Sequence, residues 1–401
     1  MSKPADLPTA LPYFPRPQLL ESVLKLLMSG ANVTLFAPRR HGKTWFVRYE
    51  LLPALHEAGW FAGRVDLWRN RDNPALGLVE GLEALAYASP KSVLPSIRSL
   101  TIRSVRSTFK LPGVDIEGEW VPSTGHVTPE GTLENRLANA LQMIASKGGH
   151  AVLALDEFQA LADKSSDNFV AAFRTALQDL EGGLSVIFTG SSRLGLTNLF
   201  KRAKAPLFRS AEAVTLPHLG DDFVDSRADY LRDIAGIEVD RGLLKNIFPK
   251  LCHTPLFINE IVRNILVSGS PDVVAALAQW VEAKKSEEYS ELLDRLSDLD
   301  LAVIVWLTMS GQTSVYTEEA REFMKLQMGV EKRPEYHQIQ TSMRRLTAAQ
   351  IVEPTGTNGG YEIADQGFQV VLSIALFDAA TEFKKENGIG DDPVTPLQPV
   401  N

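Results

Sequence analysis

Cysteine is almost absent from this chain, with Cys252 the single one among 401 residues. One thiol excludes an internal disulfide framework and fits a reducing compartment. Long apolar runs are missing as well: the longest in the C-terminal part, Leu301 to Leu307, is far too short to cross a bilayer. The N-terminus has one early lysine and then a proline-punctuated stretch, with no apolar core of signal-peptide length. A cytoplasmic protein without membrane contact is therefore expected. Basic residues are in deficit, 41 Lys and Arg against 49 Asp and Glu. The net charge of −8 gives no global pull towards nucleic acid, so any such contact needs a local patch. The 7 histidines are scattered and none pairs with cysteine or another histidine at metal-ligand spacing, which makes His253 a packing or capping residue rather than a ligand. The remainder is ordinary, 44% hydrophobic and 22% charged, in a chain long enough for two or three domains with real cores.

One stretch carries a chemical signal. Ala37-Pro38-Arg39-Arg40-His41-Gly42-Lys43-Thr44 follows the largely apolar run Ala31 to Phe36 and opens a helical segment, Trp45 to Leu52. It reads as a phosphate-binding loop with Ala37 in place of the usual first glycine. A helix start leaves unpaired N–H groups aimed at one spot, which a polyphosphate can occupy. Lys43 would neutralise the outer phosphates, and the Thr44 hydroxyl would ligate magnesium. If position 37 needs a positive φ, alanine is disfavoured there and nucleotide is held weakly. A second motif complements the loop: the apolar run His150 to Leu155 is of buried-strand type and ends at Asp156-Glu157. Magnesium-dependent phosphoryl transfer needs such a pair, Asp156 to hold the metal, directly or through water, and Glu157 to orient and deprotonate the attacking water. Leu184 to Ser192 is a further buried strand whose terminal Thr189, Ser191 and Ser192 can bond a γ-phosphate or that water.

Strands at 60–67 and 213–216, with helices between, complete the alternation of a parallel α/β sheet. Between the last two strands Lys201, Arg202, Lys204 and Arg209 offer a cation that can reach a γ-phosphate as an arginine finger does, with Arg193 a competing candidate. Phe14 and Arg16 precede the first helix, placed either to meet a base or ribose or to cap that helix. From Ala84 to Val114 there is no acid, while Lys91, Arg98, Arg103, Arg106 and Lys110 supply five cations. Alternation here predicts a β-hairpin near 100–122, which would grip nucleic-acid phosphates, present a partner-binding surface or stand as a solvated insertion. From 221 to 288 the periodicity is helical, and Pro255 starts a helix within it. Helices at Leu299–Met309, Thr317–Met328 and Tyr336–Ala348, followed by a hairpin over 351–363, make the winged-helix pattern. The third helix offers His337, Gln338, Gln340, Thr341, Arg344 and Arg345 to double-stranded DNA. Yet Leu296 to Asp378 holds six cations against eleven acids. That net of −5 disfavours unaided DNA binding and keeps protein docking as the equal alternative.

In combination, Phe14-Pro15-Arg16-Pro17, the loop at 37–44, Leu155-Asp156-Glu157-Phe158, Phe188-Thr189-Gly190-Ser191-Ser192-Arg193, Ala205-Pro206-Leu207-Phe208-Arg209 and His253-Thr254-Pro255-Leu256-Phe257 resemble the archaeal-type ATPases. These belong to the STAND group of P-loop ATPases, relatives of the AAA+ class. The resemblance implies ATP with Mg2+ as ligands and a sheet ordered 5-1-4-3-2. It implies an ATPase core over 1–220, a helical lid over 221–295 and a winged helix over 296–380; by its Pro, Gly and Asp content, the stretch 381–401 reads as a disordered tail. It further implies that Ser191 or Ser192 is the sensor, that Arg209 lies near the phosphates, and that Pro255 touches the nucleotide, with His253 standing where glycine is usual. The function implied is an ATP-hydrolysing switch that re-orients the winged helix, DNA-associated in a mobile-element or phage-defence setting, with a protein partner and a nucleotide-dependent oligomer. The alternative is a nucleotide-stabilised interaction scaffold with little hydrolysis. A metabolic kinase is disfavoured, because it leaves the lid and winged helix unexplained.

Overall fold

Strands Ala151–Asp156 and Leu184–Gly190 are buried at every position, as parallel strands covered on both faces must be. The computed structural model describes residues 11–88, 131–147, 149–180, 182–201, 205–355 and 359–375. The hairpin expected near 100–122, with Arg98, Arg103, Arg106 and Lys110, lies outside them, as do Arg202, Lys204, the tail at 381–401 and the side chain of Arg193. The chain divides into two compact units, Met1–Pro217 and His218–Asn401.

In the first unit α1 (Pro17–Met28) leads to β1 (Val33–Phe36), and α2 (Lys43–Phe46) runs through a π-helical turn (Val47–Leu51) into α3 (Leu52–Glu57). Val47 and Leu52 at the junctions have helical backbone angles, so these three pieces form one continuous helical run. Then follow β2 (Phe61–Asp66), α4 (Pro74–Tyr87), α5 (Leu133–Ala145), β3 (Ala151–Asp156), α6 (Asp167–Gln178), β4 (Leu184–Gly190), α7 (Arg193–Phe200) and β5 (Glu212–Thr215). All five strands pair in parallel in the order β2-β3-β4-β1-β5, which is the expected 5-1-4-3-2 read from the other edge. Side chains alternate across a strand. Ala151, Leu153 and Leu155 therefore join Leu137, Leu141 and Ile144 of α5 in one core, and Val152 and Ala154 join Leu19, Val23 and Leu27 of α1 in the other. Phe158, Phe173, Phe188 and Phe200 interlock within the first, with Phe158 and Phe188 centroids 4.6 Å apart.

In the second unit α8 (Asp221–Ala235), α9 (Arg241–Lys250), α10 (Pro255–Ser268), α11 (Val273–Ala283) and α12 (Ser290–Arg295) come first. After them α13 (Asp298–Met309), α14 (Glu318–Met328) and α15 (Tyr336–Ala348) precede an antiparallel ribbon of β6 (Val352–Pro354) and β7 (Tyr361–Ile363), the three helices and two strands in the order the sequence predicts. The segment after the ribbon ties back to the first helices. Thr254 Oγ1 donates to Gln366 Oε1 at 3.1 Å, and Tyr289 donates to Asp365 Oδ1 at 3.1 Å while its ring meets Phe368 edge-on. No single described helix is long and apolar enough to cross a membrane.

Candidate functional site

β1 ends at Phe36, and the chain turns through the loop before α2 begins at Lys43. The left-handed positions of that turn are Arg40, φ 69°, and Gly42, φ 94°. Ala37 is not among them, so the condition under which alanine would weaken the loop is not met; it is buried, with its N–H directed to the Gly190 carbonyl. At Gly42 a side chain would be strained by φ and would press on the Arg16 guanidinium 3.4 Å away. Lys43 folds over the loop, its Nζ 2.8 Å from the Ala37 carbonyl and 3.3 Å from that of Pro38. Burial pushes the Lys43 ammonium below its ordinary pKa, while Glu157 and Asp156 pull it back up. Arg39 stacks over Trp68, 4.9 Å from the ring centroid, and Arg40 is exposed. His41 is buried.

Arg16 is buried rather than directed outwards, and its Nη2 donates to the His41 carbonyl at 2.9 Å. Its N–H and the Tyr13 hydroxyl both donate to Glu50 Oε1, so the segment before α1 is pinned to the helical run that follows the loop. Burial raises the Glu50 carboxyl pKa against these donors. Phe14 is half-buried.

The loop and the acidic strand end meet directly. Thr44 Oγ1 donates to Asp156 Oδ2 at 2.9 Å. Thr189 donates to the other oxygen, as does the Glu157 N–H at 3.2 Å. Burial would raise the Asp156 carboxyl, but the Arg64 guanidinium and the Thr189 and Thr44 hydroxyls outweigh it and hold its pKa below the ordinary value. Hard oxygen donors from one carboxylate and one hydroxyl suit magnesium, which takes its remaining ligands from phosphates and water. Among the described residues no cluster of three or more His, Cys, Asp or Glu forms a self-sufficient metal cage.

Glu157 sits in the left-handed region, φ 55°, a strained position for a non-glycine residue that aims its carboxylate back at the end of β4. There Ser191 Oγ donates to Glu157 Oε2 at 2.8 Å, and Gln159 Nε2 donates to the same oxygen. Ser192 does something else: its Oγ caps α7 by accepting from Gly195 N at 3.1 Å. Gln159 needs room, since a Cβ on Gly195 would stand 2.5 Å from its own Cβ.

The geometry thus brings together Ala37 to Thr44, Asp156, Glu157, Thr189 and Ser191, and sets Arg16 beneath the loop. Arg209 is exposed on the same unit, stacked on Phe208 at 5.0 Å. Pro255 opens α10 in the second unit. On α15, Arg344 and Gln340 are exposed, but Arg345 Nη2 is drawn back to both Asp300 oxygens at 2.8 Å. Gln338 closes a capping box with Glu335, His337 faces Glu335, and Thr341 bonds the His337 carbonyl. Sequence reasoning missed Arg64, Gln159 and Glu50. Arg64 was signalled only by its i, i+2 spacing to Asp66 on a strand, and Gln159 not at all, because the backbone turn at Glu157 decides where it points.

A five-stranded parallel sheet in this order, with a phosphate-type loop after β1 and acids closing β3, is the core fold of P-loop ATPases. Comparison with known proteins gives the particulars. A Walker-type ATPase of Pyrococcus abyssi matches with a TM-score of 0.59 at 18% identity, over 90% of this chain and 96% of that one. The ORC2 protein of Aeropyrum pernix, in ADPNP and ADP complexes, matches at 0.48 with 13% identity over 94% and 98%. Cdc6p from Pyrobaculum aerophilum matches at 0.43 with 15% identity over 96% and 97%. At such identities the likeness is one of fold, and it rests on the first of the three. No protein-family model matches the chain, and no curated protein does.

Proposed function

We propose that the chain is a magnesium-dependent ATPase working as a switch, a P-loop core of the kind the Pyrococcus abyssi protein is named for. The observation that carries this reading is the 2.9 Å hydrogen bond from Thr44 to Asp156, which joins two motifs 112 residues apart. Lys43 would exchange the Ala37 and Pro38 carbonyls for the outer phosphates of ATP. Thr44 and Asp156 would hold magnesium, which when bound draws negative charge from the β- and γ-phosphates. Glu157 would exchange the Ser191 hydroxyl for a water molecule, take its proton and direct its oxygen at the γ-phosphorus; Ser191, so released, would report the phosphate. Arg209, exposed, would serve a neighbouring copy rather than its own site. The residues over 221–295 we read as a lid carrying Pro255, and those over 296–380 as a winged helix, joined through Thr254 and Tyr289.

Binding of a fluorescent ATP analogue tests the site. Lys43→Ala should abolish it, while Glu157→Gln should keep it and stop phosphate release; hydrolysis at the normal rate in Glu157→Gln would remove Glu157 as the base. For the output, the anchoring of Arg345 by Asp300 and the net −5 of that region favour protein docking over DNA. Duplex binding at two salt concentrations, with and without ATP, separates the two: salt-sensitive binding that Arg344→Glu weakens would restore DNA association, and none in either state supports the scaffold.

A further inference from the structure

Strand geometry builds a triangle of charges beside the loop. Arg64 and Asp66 are two apart on β2 and so share a face, and Asp66 lies directly across from Asp156 in the register of β2 and β3. Arg64 Nη2 is 2.7 Å from Asp66 Oδ2 and also 2.7 Å from Asp156 Oδ2, with its Nε 3.2 Å from the latter. The oxygen so engaged is the one that accepts from Thr44. Asp156 and Arg64 are largely buried, their side chains 3% and 14% exposed, whereas that of Asp66 is 39% exposed.

A divalent cation held by Thr44 and Asp156 needs the lone pairs that the guanidinium now uses. Two positive groups on one buried carboxylate oxygen also repel, because little solvent screens them there. Arg64 and the metal therefore exclude one another at Asp156. Asp66 gives the guanidinium a place to remain, because the nitrogen it would keep is already bonded there.

We propose that Arg64 gates the metal position: its guanidinium closes the Asp156 carboxylate when no cation is bound and withdraws to Asp66 alone when one enters. This rests on Asp156 being the metal ligand. Arg64 is a positioning residue, and the cost of parting it from Asp156 sets how strongly the site depends on metal.

The test uses the full-length chain and fluorescent ADP, titrated in EDTA and in Mn2+, and reads the ratio of the two affinities so that a general loss of binding cancels. Arg64→Gln removes the competitor, and the Mn2+ enhancement should rise about tenfold, a change of about 1.4 kcal/mol. Asp66→Asn removes the resting partner while keeping an acceptor for the Trp68 N–H, so the enhancement should fall. An unchanged or lower ratio in Arg64→Gln overturns the gate, as does a rise in Asp66→Asn. An enhancement that Asp156→Asn leaves intact would remove the metal site and the gate with it, whereas a normal loss in Asp156→Asn beside an unmoved Arg64→Gln refutes the gate alone.

Discussion

Cys252 and His253 both take left-handed φ values, 54° and 48°, immediately before α10. Such a conformation costs a non-glycine residue roughly 1–2 kcal/mol. His253→Gly should therefore stabilise the chain by up to about 1 kcal/mol despite the added freedom of the unfolded state, read as a higher midpoint in urea. The ring is not idle, since it packs 5.1 Å from both His218 and Phe248, and burial with the His218 charge holds its pKa below the ordinary histidine value. Asp300 gives a prediction in pH. Burial alone would raise its carboxyl, but Arg345, Ser342 and Ser297 hold the pKa below the usual aspartate value. A carboxyl depressed in the folded state stabilises fully above its unfolded pKa, and that contribution fades as pH falls through the folded one. Asp300→Asn should cost about 2 kcal/mol at neutral pH and much less in acid, checked by denaturation at pH 7 and pH 3. At this scale the sequence revealed which residues carry chemistry but not who holds them. Lys43, Asp156 and Glu157 were legible from their motifs, whereas the bond of Arg345 to Asp300 depends on tertiary placement and that of Gln159 to Glu157 on a left-handed turn, neither of which a sequence pattern encodes.

The elements were more legible than their contacts. Buried parallel strands are continuous apolar runs, and β3 and β4 are such runs ending in polar residues; the helices between them show a 3.6-residue period closed by caps. The sequence placed the first core helix at Trp45 to Leu52. The helical run instead starts at Lys43, continues to Glu57 past Pro53, and contains a π turn that holds buried Glu50. A wide turn of this kind leaves no mark in hydrophobic periodicity. The four interlocked phenylalanines show what holds helices to sheet: Phe188 of β4 touches Phe158, Phe173 of α6 and Phe200 of α7. Truncating it to alanine should cost about 3–5 kcal/mol, measured by chemical denaturation, and since β4 carries Thr189 and leads into Ser191, the variant should also weaken nucleotide binding if the site binds nucleotide.

At the scale of the whole molecule, the sheet order was what the family resemblance implied, and the end of the strand signal near 220 lies close to the division between the two compact units at Pro217. If the site binds nucleotide, binding must stabilise the unit that contains it. Magnesium and ADP at a hundred times the dissociation constant should add about 2.7 kcal/mol, raising the first unit's melting temperature by about 5–10 °C in a thermal scan, and Lys43→Ala should erase that rise. The carboxylate at the centre of the site is held from Thr44, Arg64 and Thr189, on one helix and two different strands. During synthesis, the emerging polypeptide has no competent cradle until β4 has left the ribosome and paired. A product that stalls before β4 therefore lacks one of the three groups that fix the Asp156 carboxylate.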